Sequence, residues 1–171
     1  LSDSCLDAAL AAWRWARLHP ALFYDQDGIN RAYEPDIGTG TYGDHSLADE
    51  FQWAAAELAV TAGSDTFLQG IEAPYPQKTG LPSWQNVGTL GVYTLLSRPE
   101  RFAAWMEAPA GVSLFLQWAE ELRKRAERSA YGVLLESGDF VWGSNAIAAN
   151  QGIAMVRAYR LSGDRRYLDA A

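Results

Sequence analysis

Apolar residues recur every three or four positions along most of this chain, the spacing that places them on one face of an α-helix. In the first such run Leu6, Leu10 and Trp13 share a face and Pro20 follows, so the pattern predicts a helix over 3–18. The same spacing predicts helices over 49–62, 84–96, 112–128 and 145–161, and shorter helical segments over 64–71, over 102–106 and from Arg165 onward. The pattern therefore predicts a helical chain.

Strand signals are weak, because the candidate segments 133–135 and 140–142 are too short to build a sheet. One turn design, by contrast, occurs twice. The segments 58–68 and 158–168 align 100 residues apart, and each has a glycine followed by a residue that can cap a helix. The sequence is thus predicted to be all-α and built of repeated helical hairpins.

The connections between the predicted helices are of two kinds. The hairpin turns are short, whereas the loops that enter the most apolar helices are long and aromatic. Residues 19–45 are rich in Gly and Pro without a helical period, which predicts a long, ordered, functional loop. The helix over 49–62 is apolar on most of its circumference and is expected to lie inside a layer of other helices. This asymmetry favours a barrel with one functional face over an open solenoid.

Composition excludes several classes of function. The 171 residues suffice for one globular domain, and a net charge of -7 argues against binding to nucleic acid or to an anionic membrane surface. The single Cys5 excludes an internal disulfide framework, and no Cys/His cluster has zinc spacing. Seven Trp, eight Tyr and six Phe exceed what a core of this size needs. The surplus indicates an aromatic stacking surface, to which flat sugar rings are suited.

Three aromatic residues stand in loops just before a predicted apolar helix: Tyr42, Trp84 and Trp142. If these helices run parallel, the three rings gather at one rim and can stack on pyranose rings, although any one of them can equally be a core residue. His45 lies in the Tyr42 loop, where it can hydrogen-bond a sugar hydroxyl or simply its own backbone. We therefore predict a sugar-binding site at this rim.

An acidic group lies at the start of the helix over 49–62. Asp44, Asp49 and Glu50 could bind calcium with nearby carbonyls, because calcium prefers several hard oxygen ligands. Alternatively, Asp49 caps the helix and Glu50 favours its N-terminal dipole. No spacing singles out a pair of carboxylates for glycoside hydrolysis, and no serine-hydrolase, P-loop or zinc-protease motif is present.

Charged residues on the helix over 112–128 are expected to have a structural role. Glu120 with Lys124, and Glu121 with Arg125, stand four residues apart. This spacing predicts side-by-side ion pairs on a solvated helix face.

Two blocks of the sequence resemble glycoside hydrolase family 9. The first is the segment 39–44 followed by the acidic pair and the Trp-Ala-Ala helix over 49–58. The second comprises Trp142-Gly143-Ser144-Asn145, Asn150-Gln151 and Ser162-Gly163-Asp164 before Tyr167-Leu168. The likeness covers nearly the whole chain. The sequence departs from many members in having Ala146 and Ile147 where Arg and Tyr are common.

The resemblance implies a six-hairpin (α/α)6 toroid that hydrolyses β-1,4-linked glucan or glucosamine polymers with inversion. It implies glucosyl subsites at Tyr42, Trp84 and Trp142, a calcium site at Asp49 and Glu50, and a secreted or periplasmic location. The family's base comes from an Asp-Ala-Gly-Asp motif and its acid from a Glu near the end of the domain. Neither motif occurs in these 171 residues, so no catalytic residue is predicted here.

Residues 1–171 are accordingly expected to be one segment from the middle of a larger catalytic domain. The chain starts without Met and stops inside an amphipathic pattern, which agrees with that expectation. Its predicted partners are the polysaccharide and the remainder of the domain. Two other readings stay open: a non-catalytic helical-repeat module that binds glycan or protein, and another α/α toroid whose acid, such as Asp36 or Asp44, lies in the 19–45 loop.

Overall fold

The computed structural model describes residues 2–41, 43, 45–72, 80–98 and 108–171, with side chains from 111 onward in the last range. The α-helices are α1 (Ser2–Leu18), α2 (Gln26–Ala32), α3 (Ala48–Ala62), α4 (Gly88–Leu96), α5 (Ala108–Arg128), α6 (Ser144–Ser162) and α7 (Arg165–Asp169). Short 3-10 helices occupy Asp65–Leu68 and Ser137–Asp139. The described residues contain no strand, so the predicted all-α class is confirmed. None of their helices has an apolar stretch long enough to cross a membrane.

Helices α3 and α4 run side by side in the same direction. At their N-terminal ends the Asp49 carboxylate accepts the Val87 N–H at 2.7 Å, and two turns later the Thr94 hydroxyl donates to Glu57 at 2.6 Å. Between these bonds the helices touch at Gly91, where an added Cβ would lie 3.2 Å from the Trp53 Cα. Glycine is therefore what allows this close approach of the two backbones.

Helix α6 continues the same parallel arrangement beside α4. The Asn150 amide donates to the carbonyl of Pro82, just before α4, at 2.7 Å. Two turns further along α6, the Arg157 guanidinium lies 5.4 Å from the centre of the Tyr93 ring. From the first contact to the second, residue numbers increase along both helices, so α4 and α6 run parallel. The N-terminal ends of α3, α4 and α6 therefore all lie on one side of the molecule.

The hydrophobic core lies between these parallel helices and the elements that cover them. Ala55, Leu95, Phe115 and Met155 are among its fully buried members. Helix α5 contributes Phe115, whereas α1 has no buried residue and contacts the rest mainly through the partly buried ring of Trp13. The core is therefore closed on the α5 side and remains thinly covered on the α1 side.

The repeated turn design is confirmed. Gly63 ends α3 with φ 71° and Gly163 ends α6 with φ 73°, and each donates its N–H to the carbonyl four residues earlier. Ser64 and Asp164 then accept the backbone N–H two residues later with their side chains. A left-handed C-cap followed by an N-cap makes each helical hairpin turn sharp.

The prediction of a helix-free loop over 19–45 is wrong for α2. Asp25 caps this helix by accepting the Gly28 N–H at 2.9 Å. The buried Gln26 amide donates to the carbonyls of Ile37 and Thr39, and Asn30 bonds both backbone groups of Ile37. The helix is held by polar side chains rather than by an apolar face, which is why it leaves no hydrophobic period.

Two other predictions need correction. The fourth helix starts at Gly88 and not at Trp84, because the Ser83 side chain accepts the N–H groups of Gln85 and Asn86 and holds a turn there. On α5 the predicted four-residue ion pairs do not form. The predicted segment over 102–106 lies outside the described residues.

The ion pairs of α5 follow a different pattern. Glu120 receives two hydrogen bonds from Arg123 at 2.8 Å, and Lys124 pairs with Glu121 at 2.9 Å. Arg125 reaches away from its own helix toward Glu136 and Asp139. Arg123 also donates to Glu127, four residues later, at 2.7 Å, so this one guanidinium joins Glu120 and Glu127 along α5.

Candidate functional site

The parallel helices create a rim, which we define as the loops 45–47, 80–87 and 140–143 that precede α3, α4 and α6. The hydrogen bond between Asp49 and Val87 joins the N-terminal ends of α3 and α4. The hydrogen bond between Asn150 and Pro82 joins α6 to the loop before α4. Both bonds connect segments that are far apart in sequence, so they fix the three loops relative to one another. The parallel arrangement on which the sequence argument depended is thus present.

Trp142 stands in the turn that leads into α6, and 95% of its surface is exposed. Its neighbours Phe140 and Val141 are also exposed. Gly143 follows with φ 83°, a left-handed conformation that suits glycine and starts α6 directly after the tryptophan. The turn therefore presents a run of apolar side chains to solvent at the rim.

Trp84 lies in the loop before α4 and is 61% exposed. The loop around it is well anchored: Ser83 donates its N–H to the Asn86 carbonyl at 2.8 Å, and the Thr89 hydroxyl donates to the Gly80 carbonyl at 2.5 Å. An exposed indole on an anchored loop is a preorganised contact surface for a ligand.

Asp49 is buried, and its role differs from simple capping of its own helix. The N-cap position of α3 is Leu47, which makes no side-chain cap bond, while the Asp49 carboxylate accepts the N–H of Val87 at the start of α4. The capping interpretation of Asp49 was therefore wrong. The carboxylate instead joins two parallel helix N-termini, whose partial positive charge favours an anion at this position.

The other predicted site residues are placed as follows. Glu50 is partly buried in the first turn of α3, and His45 is exposed three residues before that helix. Tyr42 and Asp44 lie outside the described residues. Within the described ranges no three His, Cys, Asp or Glu side chains come together as a metal site. The calcium site, which includes Asp44, thus stays a prediction.

The geometry of the rim suits binding more than acid–base chemistry. It exposes two indole rings, those of Trp84 and Trp142, whose flat apolar faces can cover the C–H face of a sugar without a charged partner. The Asp49 carboxylate, in the first turn of α3 beside the rim, accepts the backbone N–H of Val87. The arrangement can therefore hold a ring-shaped, uncharged ligand.

Comparison with known proteins agrees with this architecture. The family model described as Glycosyl hydrolase family 9 matches residues 1–171. The chain belongs to glycosyl hydrolase family 9.

Individual family 9 relatives support this membership. A xyloglucan-specific endo-beta-1,4-glucanase of Bacteroides ovatus is 34% identical over 99% of this chain, and endoglucanase C of Cellulomonas fimi is 30% identical over 98%. The crystal structure of the family 9 endoglucanase J30 matches 96% of the chain with a TM-score of 0.82 and 27% identity. The all-α fold is thus part of an (α/α)6 toroid.

The chain is much shorter than these family 9 proteins. It covers 30% of the Bacteroides protein, 15% of the Cellulomonas protein and 30% of the J30 chain. The chain therefore spans less than a third of the length of each of these family 9 proteins.

Sequence reasoning missed the polar residues that organise the family 9 rim. The sequence marks Asn150 and Gln151 only as part of a family motif, yet Asn150 joins α6 to the Trp84 loop and Gln151 is buried against the loop before Trp142. Arg125 is predicted to pair with Glu121 on a solvated helix face, but it lies against Glu136 and Asp139. The sequence does contain one signal of this role, two consecutive amide residues in the middle of a helix that otherwise packs in the core. Buried amides need hydrogen-bond partners, so such a pair indicates contacts with neighbouring segments.

Proposed function

We propose that the protein containing this chain hydrolyses β-1,4-linked glucans, and that this segment supplies sugar-binding subsites at the rim. The observation that carries the proposal is the pair of exposed tryptophans, Trp84 and Trp142, on anchored loops at the N-terminal ends of parallel helices. Stacking of an indole on a sugar ring buries apolar area that otherwise faces water. Tyr42 and His45 are proposed to extend the same sugar-binding surface.

The substrate class follows from the chemistry of the relatives together with the rim. Two of them are named as endo-acting glucanases, and one solved family structure holds a cellobiose-like isofagomine. A neutral polymer also fits a chain with net charge -7, because no basic surface is needed to bind it. Glucosamine oligomers are the second substrate in this proposal, since an acidic chain can attract their ammonium groups.

Hydrolysis itself is proposed to use carboxylates outside these 171 residues. An inverting reaction needs a base that activates water and an acid that protonates the leaving oxygen, held about 6.5–9.5 Å apart. Asp49, a buried carboxylate beside the rim, already accepts the Val87 N–H, and the sequence contains neither of the family's catalytic motifs. The segment therefore positions the sugar chain while other parts of the domain act on it.

The remainder of the domain is proposed to cover the apolar groove between α1 and α3. This groove has a volume of about 600 Å³ and is lined by Leu6, Trp13, Phe51 and Leu58 among others. The chain covers 30% of the matching Bacteroides protein, so a family 9 domain has further helices available to fill the groove. An exposed apolar groove of this size is expected to make the isolated segment associate or unfold easily.

A calcium site at Asp44, Asp49 and Glu50 is part of the same proposal. Its support is chemical: adjacent carboxylates at a helix start supply the hard oxygen ligands that calcium prefers. One Asp49 oxygen already accepts the Val87 N–H, so only its other oxygen would face a cation. A secreted or periplasmic location is also proposed, because polymeric glucans must be degraded outside the cytoplasm.

The proposal is tested with the full-length protein that contains this chain. It is incubated with soluble cellulose derivatives, xyloglucan and chitosan oligomers, while released reducing ends are measured and NMR follows the anomeric configuration of the first product. We expect cleavage of a β-1,4-glucan with inversion. Binding without cleavage would favour the non-catalytic module, and neither binding nor cleavage would refute the proposal.

A further inference from the structure

We propose that Gln151, Asp139 and Arg125 form a polar clamp that positions the Trp142 turn for sugar binding. This inference rests on the proposed function of Trp142. None of the three side chains belongs to the proposed sugar-contacting surface. They act as positioning residues, because they hold the backbone from which the indole projects.

The clamp begins with a buried amide on α6. Only 1% of Gln151 is exposed, and its Nε2 lies 3.4 Å from the Leu134 carbonyl and 3.3 Å from the Asp139 carboxylate. A buried amide is stable only when its donors find acceptors. Here both acceptors belong to the loop before Trp142, so one side chain of α6 ties the two ends of the segment 134–139 together.

Asp139 is the centre of the clamp. The carboxylate oxygen that faces Gln151 also accepts the Glu136 N–H at 2.9 Å, and the Asp139 N–H donates back to the Glu136 carbonyl at the same distance. This reciprocal bonding closes the 3-10 helix Ser137–Asp139. Without the carboxylate, the Glu136 N–H would lose this acceptor, and the Gln151 amide would keep only the Leu134 carbonyl in the loop.

Arg125 fastens the same segment to α5. Its guanidinium lies 3.8 Å from the Asp139 carboxylate and 3.6 Å from that of Glu136. Arg128 adds a further pair with Glu136 at 3.7 Å. The loop is therefore attached to α6 by an amide and to α5 by two arginines, although exposed ion pairs of this kind contribute little to global stability. Their effect is expected to be local.

A continuous series of backbone bonds transmits this anchoring to Trp142. Val141 donates its N–H to the Asp139 carbonyl at 2.9 Å, and Ser144 donates to the Val141 carbonyl at 3.0 Å. Trp142 thus lies between the clamp and the first turn of α6. Because nearly all of the indole faces solvent, its orientation depends on the backbone that carries it. Loss of the clamp should let the turn move. Part of the binding free energy would then be used to order the turn, so the affinity for sugar should fall.

The test is a double-mutant cycle of Asp139→Ala and Trp142→Ala in the full-length protein. Affinity for a thio-linked cellotetraose, which is not hydrolysed, is measured by titration calorimetry, and KM and kcat are measured on the oxygen-linked substrate. We expect Trp142→Ala to weaken binding about 20-fold and Asp139→Ala about threefold or more. The double variant should bind like Trp142→Ala alone, because the clamp acts only through that ring. Asp139→Ala, which removes the clamp, should raise KM by a larger factor than it lowers kcat.

Two controls separate positioning from general destabilisation. Asp139→Asn keeps an oxygen acceptor and should retain affinity within about twofold of the wild type. Asp164→Ala removes a comparable capping carboxylate, bonded to Arg166 at the other end of α6, and should leave affinity unchanged. If Asp139→Ala does not fold, Arg125→Ala replaces it in the cycle, since that side chain is partly exposed.

The outcomes distinguish this inference from the proposed function. If Trp142→Ala binds like the wild type, the sugar subsite is refuted and the clamp has no role in binding. If Trp142→Ala weakens binding while the clamp variant does not, or if the two effects add fully, the subsite stands and the positioning role is overturned. Equal affinity of the double variant and Trp142→Ala supports both.

Discussion

Replacement of Asp49 by alanine should destabilise the protein even without calcium. The buried carboxylate accepts the Val87 N–H at 2.7 Å across two parallel helices. A hydrogen bond to a charged group contributes about 1.5–3 kcal/mol, and removal of the acceptor also leaves the Val87 N–H without this partner. We therefore expect a loss of about 2–3 kcal/mol in the free energy of unfolding. Asp49→Asn, which keeps a neutral acceptor, should lose about half as much.

Urea unfolding of the full-length protein, with chelator and then with added calcium, measures this loss. The matched control is Asp27→Ala, which removes an exposed acidic residue from the first turn of α2 and should change stability by less than about 0.5 kcal/mol. A change in Asp49→Ala below that value in chelator would refute the helix-joining role. A loss that occurs only with calcium would assign Asp49 to the metal site instead.

Three further predictions concern the core and the charged face of α5. Gly91→Ala should lower stability by up to about 2 kcal/mol in thermal melts, because overpacking against Trp53 costs more than the gain of about 1 kcal/mol in helix propensity; a higher Tm would contradict the close contact. Tyr93→Phe should raise stability by about 1 kcal/mol, because the described contacts give its buried hydroxyl no hydrogen-bond partner. Burial also raises the pKa of Tyr93 to about 12, so wild-type stability should fall as pH rises from about 10 to 12 and the Phe variant should lack this fall. Hydrogen bonds from Arg123 lower the pKa of Glu120 below its usual value of 4.5. The stability that these bonds give the folded state is therefore complete above that pH and is lost on acidification. In urea melts from about pH 6 to about pH 3, Glu120→Gln should lose less stability than the wild type, and an unchanged pH profile would refute this.

Local sequence signals predicted most of the fold. Helices over 49–62 and 145–161 were placed to within a residue or two, because apolar periodicity and C-terminal glycines act over a few neighbouring positions. The turns at Gly63 and Gly163 could be predicted for the same reason. Trp84 and Trp142, which are exposed at the rim, each stand just before an apolar helix, so their placement also depends on local sequence order.

The organisation of the rim could not be predicted in this way. The bonds from Asp49 to Val87 and from Asn150 to Pro82 join residues 38 and 68 positions apart, and nothing in either neighbourhood specifies the partner. Helix α2 could not be predicted from apolar periodicity, because hydrogen bonds from Gln26, and not an apolar face, attach it to the rest of the loop. Polar contacts at long range depend on the assembled helices, so they become visible only in the structure.

The most direct test of the central claim is the affinity of the full-length protein for thio-linked cellotetraose with and without the Trp142 ring. If a sugar covers about 70 Å² of the exposed indole, its loss costs about 1.7 kcal/mol, or about 20-fold in Kd. Leu168→Ala, which removes an exposed apolar side chain from α7 at the other end of α6, is the control and should bind like the wild type. A Trp142→Ala variant with unchanged Kd would contradict the account.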